Sequence, residues 1–118
     1  MTNTPPTIFI PSWDGESYEV HPRISKYDNG RLAIELWSGE TEGFMEPFGK
    51  VTVNLPDEHL NEGEVFVKDW AENELLASTL LEFGWITPTG REVSSGFIFP
   101  LVSRPAGALL DYINSQEG

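Results

Sequence analysis

The sequence contains no cysteine. Disulfide frameworks and thiolate catalysis are therefore excluded, and the chain suits a reducing compartment. Basic residues are scarce: seven Lys and Arg stand against nineteen Asp and Glu, for a formal net charge of -12. Histidine occurs only at His21 and His59. Neither has a second ligand at helical or turn spacing, so no zinc site is predicted and both read as surface residues. No stretch reaches the ~18 consecutive apolar residues of a membrane span. Met1 to Pro6 has neither a positive segment nor a long apolar one and does not resemble a secretory signal. The expected location is the cytoplasm.

Catalytic patterns are missing as well. Gly39, Gly43 and Gly49 precede no helical Lys-Ser/Thr pair, so there is no phosphate-cradling loop. Ser94-Ser95-Gly96 lacks the glycine two residues before the serine that a nucleophile elbow needs. The run Asp57-Glu58-His59-Leu60-Asn61-Glu62-Gly63-Glu64 has the composition of a calcium loop without its alternating ligand spacing. No catalytic residue, metal ligand or cofactor is expected. A small hydrolase with a carboxylate pair is the enzymatic alternative, and the spacing of the acids selects no pair.

What is present is enough for a core. The 118 residues fit one domain, 1–118, with 1–6 and 114–118 expected as loose ends. Hydrophobic residues make up 39% and aromatics 12%, too apolar for a disordered acidic tail. Ile8-Phe9-Ile10 is a short apolar run, and Tyr18, Val20 and Ile24 spread over a second extended segment. Asp28-Asn29-Gly30 predicts a hairpin turn. After it, Leu32, Ile34 and Leu36 share one strand face with Trp37 on the other. Val51, Val53 and Leu55 alternate with Thr52 and Asn54 as in a strand, and Glu64 to Lys68 is rich in β-forming residues.

The helical period appears next. Leu76, Leu80 and Phe83, widened by Ala77 and Leu81, predict a helix over about 71–83. Asp69 is placed to cap it and Gly84 to end it. Phe97-Ile98-Phe99 reads as the start of a last strand continued by Leu101-Val102. Pro105 suits the first turn of a short C-terminal helix carrying Leu109, Leu110 and Ile113, with Gly107 weakening it by about 1 kcal/mol relative to alanine. The predicted class is α+β: a mainly antiparallel sheet of about five to six strands, one central helix packed on one face, and the short C-terminal helix.

The acids are clustered. Residues 57 to 74 hold Asp57, Glu58, Glu62, Glu64, Asp69, Glu72 and Glu74 against Lys68 alone. Glu40, Glu42 and Glu46 form an earlier group in a glycine-containing loop beside Phe44 and Met45. Like charges repel when held together, although a solvated face is also an ordinary use of them. Such a protein repels nucleic acid and anionic membranes and attracts basic surfaces, many of which belong to nucleic-acid-binding proteins.

Three segments carry a resemblance. Val51-Thr52-Val53-Asn54-Leu55-Pro56, Val65-Phe66-Val67-Lys68-Asp69-Trp70-Ala71-Glu72-Asn73 and Ser95-Gly96-Phe97-Ile98-Phe99-Pro100-Leu101 resemble an uncharacterised domain-of-unknown-function family of small proteins from bacterial mobile elements and phages. The resemblance covers about residues 31 to 103 and brings no activity or functional residue with it. The acidity and Tyr27-Asp28-Asn29-Gly30-Arg31-Leu32 are similar, more weakly, to acidic anti-restriction and anti-CRISPR inhibitors.

The expected function is that of a non-catalytic inhibitor. Its acidic face would mimic nucleic acid and block the basic channel of a host defence complex through Glu40, Glu42, Phe44, Glu46, Asp57, Glu58, Glu62 and Glu64. An accessory interaction module of a conjugative element or phage, contacting its partner through the aromatics of the 37–48 loop, is the alternative.

Overall fold

The computed structural model describes residues 5–11, 14–39 and 45–117. Among the described residues, seven strands form two antiparallel sheets. The first has the order β1-β2-β3-β4, built from Ile8–Pro11, Ser17–Lys26, Leu32–Gly39 and Met45–Lys50. The second has the order β5-β7-β6, built from Val65–Val67, Leu101–Pro105 and Ile86–Pro88. Helix α1 is Glu74–Glu82, preceded by a 3-10 turn at Ala71–Asn73, and α2 is Gly107–Glu117.

The single sheet with one central helix on its face is therefore corrected. The described residues form two sheets; α1 lies against strands of both, chiefly β1 and β6, while α2 lies chiefly against β2. The alternating segment after Lys50 explains the difference. Val51 N–H donates to Ile34 of the first sheet, whereas Val51 O accepts from Lys68 and Val53 N–H donates to Phe66 of the second. Thr52 pairs with Val67 of the second sheet through an isolated antiparallel bridge, while its Oγ1 accepts from Ile34 N–H of the first at 3.0 Å. Residues 51–53 thus tie the sheets together instead of extending either one.

The hairpin signal is realised directly. Tyr27 and Arg31 close the β2–β3 turn through Tyr27 N–H to Arg31 O at 2.8 Å, and Asn29 Oδ1 accepts from Arg31 N–H. Register then puts Val20, Ile24, Ile34 and Leu36 toward the core. β4 interrupts that regularity: Leu36 faces Gly49 while Trp37 faces Pro47, leaving Phe48 as the extra residue of a bulge. A strand with both proline and glycine has little β-propensity, which is why β4 was expected as loop.

Leu76, Ala77 and Leu80 of α1 are buried with Ile8, Ile10, Val65, Val67, Trp85, Leu109 and Ile113, so both sheets and both helices share one core. Phe83 and Leu81, expected on the same stripe, are exposed at 53% and 38%. The expected end at Gly84 holds: Gly84 N–H donates to Leu81 O and Trp85 N–H to Leu80 O, the paired bonds of a Schellman cap. The expected Asp69 cap does not hold. Asn73 is the N-cap and makes no side-chain cap bond. Its buried amide instead donates to the carbonyls of Lys50 and Lys68, joining the ends of β4 and β5 to the start of α1.

At the C-terminal end, Pro105 closes β7, and α2 begins at Gly107 and runs to Glu117, within the stretch expected to be loose. Gly107 adopts φ 55°, and a Cβ there would sit 2.9 Å from the Gly84 carbonyl oxygen. Alanine is thus the poorer residue at this position, opposite to the helix-propensity expectation.

Candidate binding surface

The 57–64 loop precedes β5 and is held by arginines. Arg31, at the end of the β2–β3 turn, donates to Leu55 O at 2.7 Å and to Glu58 O at 2.6 Å. Arg91 reaches across from the segment after β6. Its Nη2 lies 2.6 Å from Glu64 Oε1 and donates also to His59 O at 2.8 Å. Asn61 N–H donates to the same Glu64 oxygen at 2.8 Å. The Glu64 side chain is only 2% exposed.

These contacts set its chemistry. The hydrogen-bonded Arg91 guanidinium draws the Glu64 carboxyl down from an ordinary 4.5 to about 2, against the upward push of burial, and the Asn61 N–H and the Arg104 charge help. The same pair pushes the Arg91 guanidinium up. A carboxylate buried and neutralised in this way anchors its own loop and is not offered to a partner. Glu64 is therefore removed from the expected contact set.

The remaining expected residues fall apart by sheet. Asp57 and Glu62 are exposed and Glu58 is half-buried on the loop before β5, while Glu46 is exposed on β4, an edge strand of the other sheet. Glu40, Glu42 and Phe44 lie outside the described residues. Among the acidic side chains whose burial the structure describes, all except Glu64 are exposed or half-buried.

His21 also departs from expectation. It faces Trp37 across β2 and β3 and is 8% exposed. Arg23 stacks on the Trp37 ring at 4.7 Å, and the indole Nε1 is buried without a hydrogen-bond partner among the described residues. His59 is exposed and bonds Asn61 through its side chain at 2.7 Å. No group of three or more His, Asp or Glu among the described residues could hold a metal ion. No described helix is long and apolar enough to cross a membrane.

The expected last strand at Phe97-Ile98-Phe99 is a turn instead. Ser95 and Ile98 exchange backbone hydrogen bonds of 2.9 and 3.0 Å around Gly96 and Phe97. Phe97 is fully exposed and Phe99 is 65% exposed. Beside the turn lies a surface cleft of about 650 Å³ walled by Val93, Phe99, Pro100 and Leu101. The readable signal was Ser95-Gly96, since glycine in the first central position suits a two-residue hairpin loop. The apolar triplet after it disguised the turn as a strand.

The geometry defines a small two-sheet domain with an acidic exterior and one projecting aromatic turn. Residues 22–112 match the model of the DUF4313 family, a domain of unknown function, and the chain belongs to that family. No curated protein and no solved structure matches the chain.

Proposed function

We propose that this chain is a non-catalytic, cytoplasmic binding protein whose partner is a basic, nucleic-acid-binding protein or complex of a host cell. It occupies the cationic channel that otherwise holds nucleic acid and so acts as an anti-defence inhibitor, of the anti-restriction or anti-CRISPR kind. The observation that carries this reading is the disposition of charge. Net charge is -12, and of the acids whose burial is described Glu64 alone is withdrawn from the surface. Fixed surface charge of one sign accelerates encounter with the opposite sign and rejects like-charged partners. Asp57, Glu58 and Glu62, on a loop clamped by Arg31 and Arg91, are the contact residues best supported, with Glu46 a separate outlier on β4.

The test is capture of partners from a host lysate, identification by mass spectrometry, and titration of the purified partner. Basic nucleic-acid-binding proteins should be recovered, the chain should compete with their nucleic acid, and Asp57→Lys with Glu62→Lys should weaken the complex at least tenfold. A partner indifferent to both reversals and still able to bind its nucleic acid would refute the proposal. The exposure of Phe97 and Phe99 favours a second reading, an interaction module without inhibitory action. In that case the aromatic contact moves from Phe44 to the 95–98 turn.

A further inference from the structure

The Ser95–Ile98 turn is the feature that packing leaves without a purpose. Gly96 has φ 62°, and Phe97 is not among the residues with positive φ. Positive φ at the first central position only is the pattern of a type II′ turn, whose twist matches that of paired extended segments. Two reciprocal backbone bonds therefore hold the apex in place. Tight turns favour polar residues at such positions, yet here the apex is a phenylalanine exposed over its whole surface. A ring that buries nothing adds no stability to the fold. Held on a closed turn, it loses little conformational freedom when it enters a recess, and this is how aromatic anchors contribute disproportionately to association.

We propose that Phe97 is the docking anchor of this protein and inserts into an apolar recess on a basic protein surface. Phe99 and the adjoining cleft receive the rim of that recess. The basic character follows from charge. Between Pro88 and Val102 the only charged residues are Arg91 and Glu92, and Arg91 is neutralised by Glu64 while Glu92 is exposed. The segment that carries the anchor thus has one uncompensated charge, the Glu92 carboxylate, on a molecule at -12. A second copy of this chain would bring the same charge against itself. The inference rests on the basic-partner reading above and adds the place and chemistry of the contact.

A random 12-residue peptide library displayed on phage, panned on the immobilised full-length chain, tests it. Enriched peptides should combine Lys or Arg with aromatic or aliphatic residues. As synthetic peptides, they should bind at least tenfold more weakly to Phe97→Ser, with Phe97→Leu restoring most of the affinity. An unchanged circular dichroism spectrum and thermal midpoint for Phe97→Ser separate lost contact from lost fold.

Three outcomes overturn the anchor. They are no enrichment over bare support, affinity for Phe97→Ser within twofold of the parent, or a Phe97-dependent dimer or phosphatidylcholine-vesicle association in place of peptide binding. Peptides that depend on Phe97 but are acidic or uncharged overturn the basic occupant proposed here. The basic-partner reading is decided by the captured-partner titration instead, and binding weakened by Asp57→Lys and Glu62→Lys but not by Phe97→Ser sinks only the anchor.

Discussion

Glu64 and Trp37 show two opposite ways in which a buried polar group is carried by this fold. The Glu64 carboxyl, held at about 2 rather than 4.5, stabilises the folded state in full above pH 4.5 and loses that contribution as pH falls toward 2. Comparing the native chain with Glu64→Gln by urea denaturation at pH 7, 4.5 and 3 should show a stability gap that narrows with acidification. Glu64→Leu at neutral pH should cost about 1–3 kcal/mol, because the Asn61 N–H and the Arg91 guanidinium lose their acceptor. Trp37 carries the opposite expectation. Its buried Nε1 has no acceptor among the described residues, so Trp37→Phe removes an unsatisfied donor along with some packing. A loss below about 1 kcal/mol in the same denaturation assay is expected, well under the usual cost of shrinking a large buried side chain.

At the scale of elements, junctions matter more than propensities. Gly107→Ala should destabilise by about 2 kcal/mol or more, since it adds left-handed strain to a 2.9 Å clash with the Gly84 carbonyl. Calorimetry should show a lower midpoint, whereas a helix governed by propensity would gain stability. Asn73→Ala should cost a similar amount by leaving the Lys50 and Lys68 carbonyls without their donor. The same contrast explains which elements could be read from the sequence. The β2–β3 hairpin and the α1 stop at Gly84 are specified by residues adjacent in the chain, and both were legible. The role of 51–53 depends on Ile34 and Phe66, residues from two different sheets, and no local period encodes it. Phe97-Ile98-Phe99 has strand composition but turn geometry, because Gly96 and the Ser95–Ile98 bonds act on a span too short for periodicity to resolve. Of the expected site, the acidity of the surface was visible in composition. The withdrawal of Glu64 was not, because its partner Arg91 lies 27 residues away.

For the whole molecule the dominant quantity is charge. A net -12 on 118 residues opposes compaction through self-repulsion. At 0.1 M salt the screening length is about 10 Å, so added salt should relieve that repulsion. The thermal midpoint should therefore rise between 10 and 300 mM NaCl; a fall would mean that attractive pairs govern stability. Binding must respond in the reverse direction if acidic side chains steer and hold a cationic partner. The decisive measurement is the dissociation constant of the captured partner complex at 50 and 500 mM NaCl. A rise of at least tenfold over that range is expected, and a constant that does not change with salt would contradict recognition through the acidic surface.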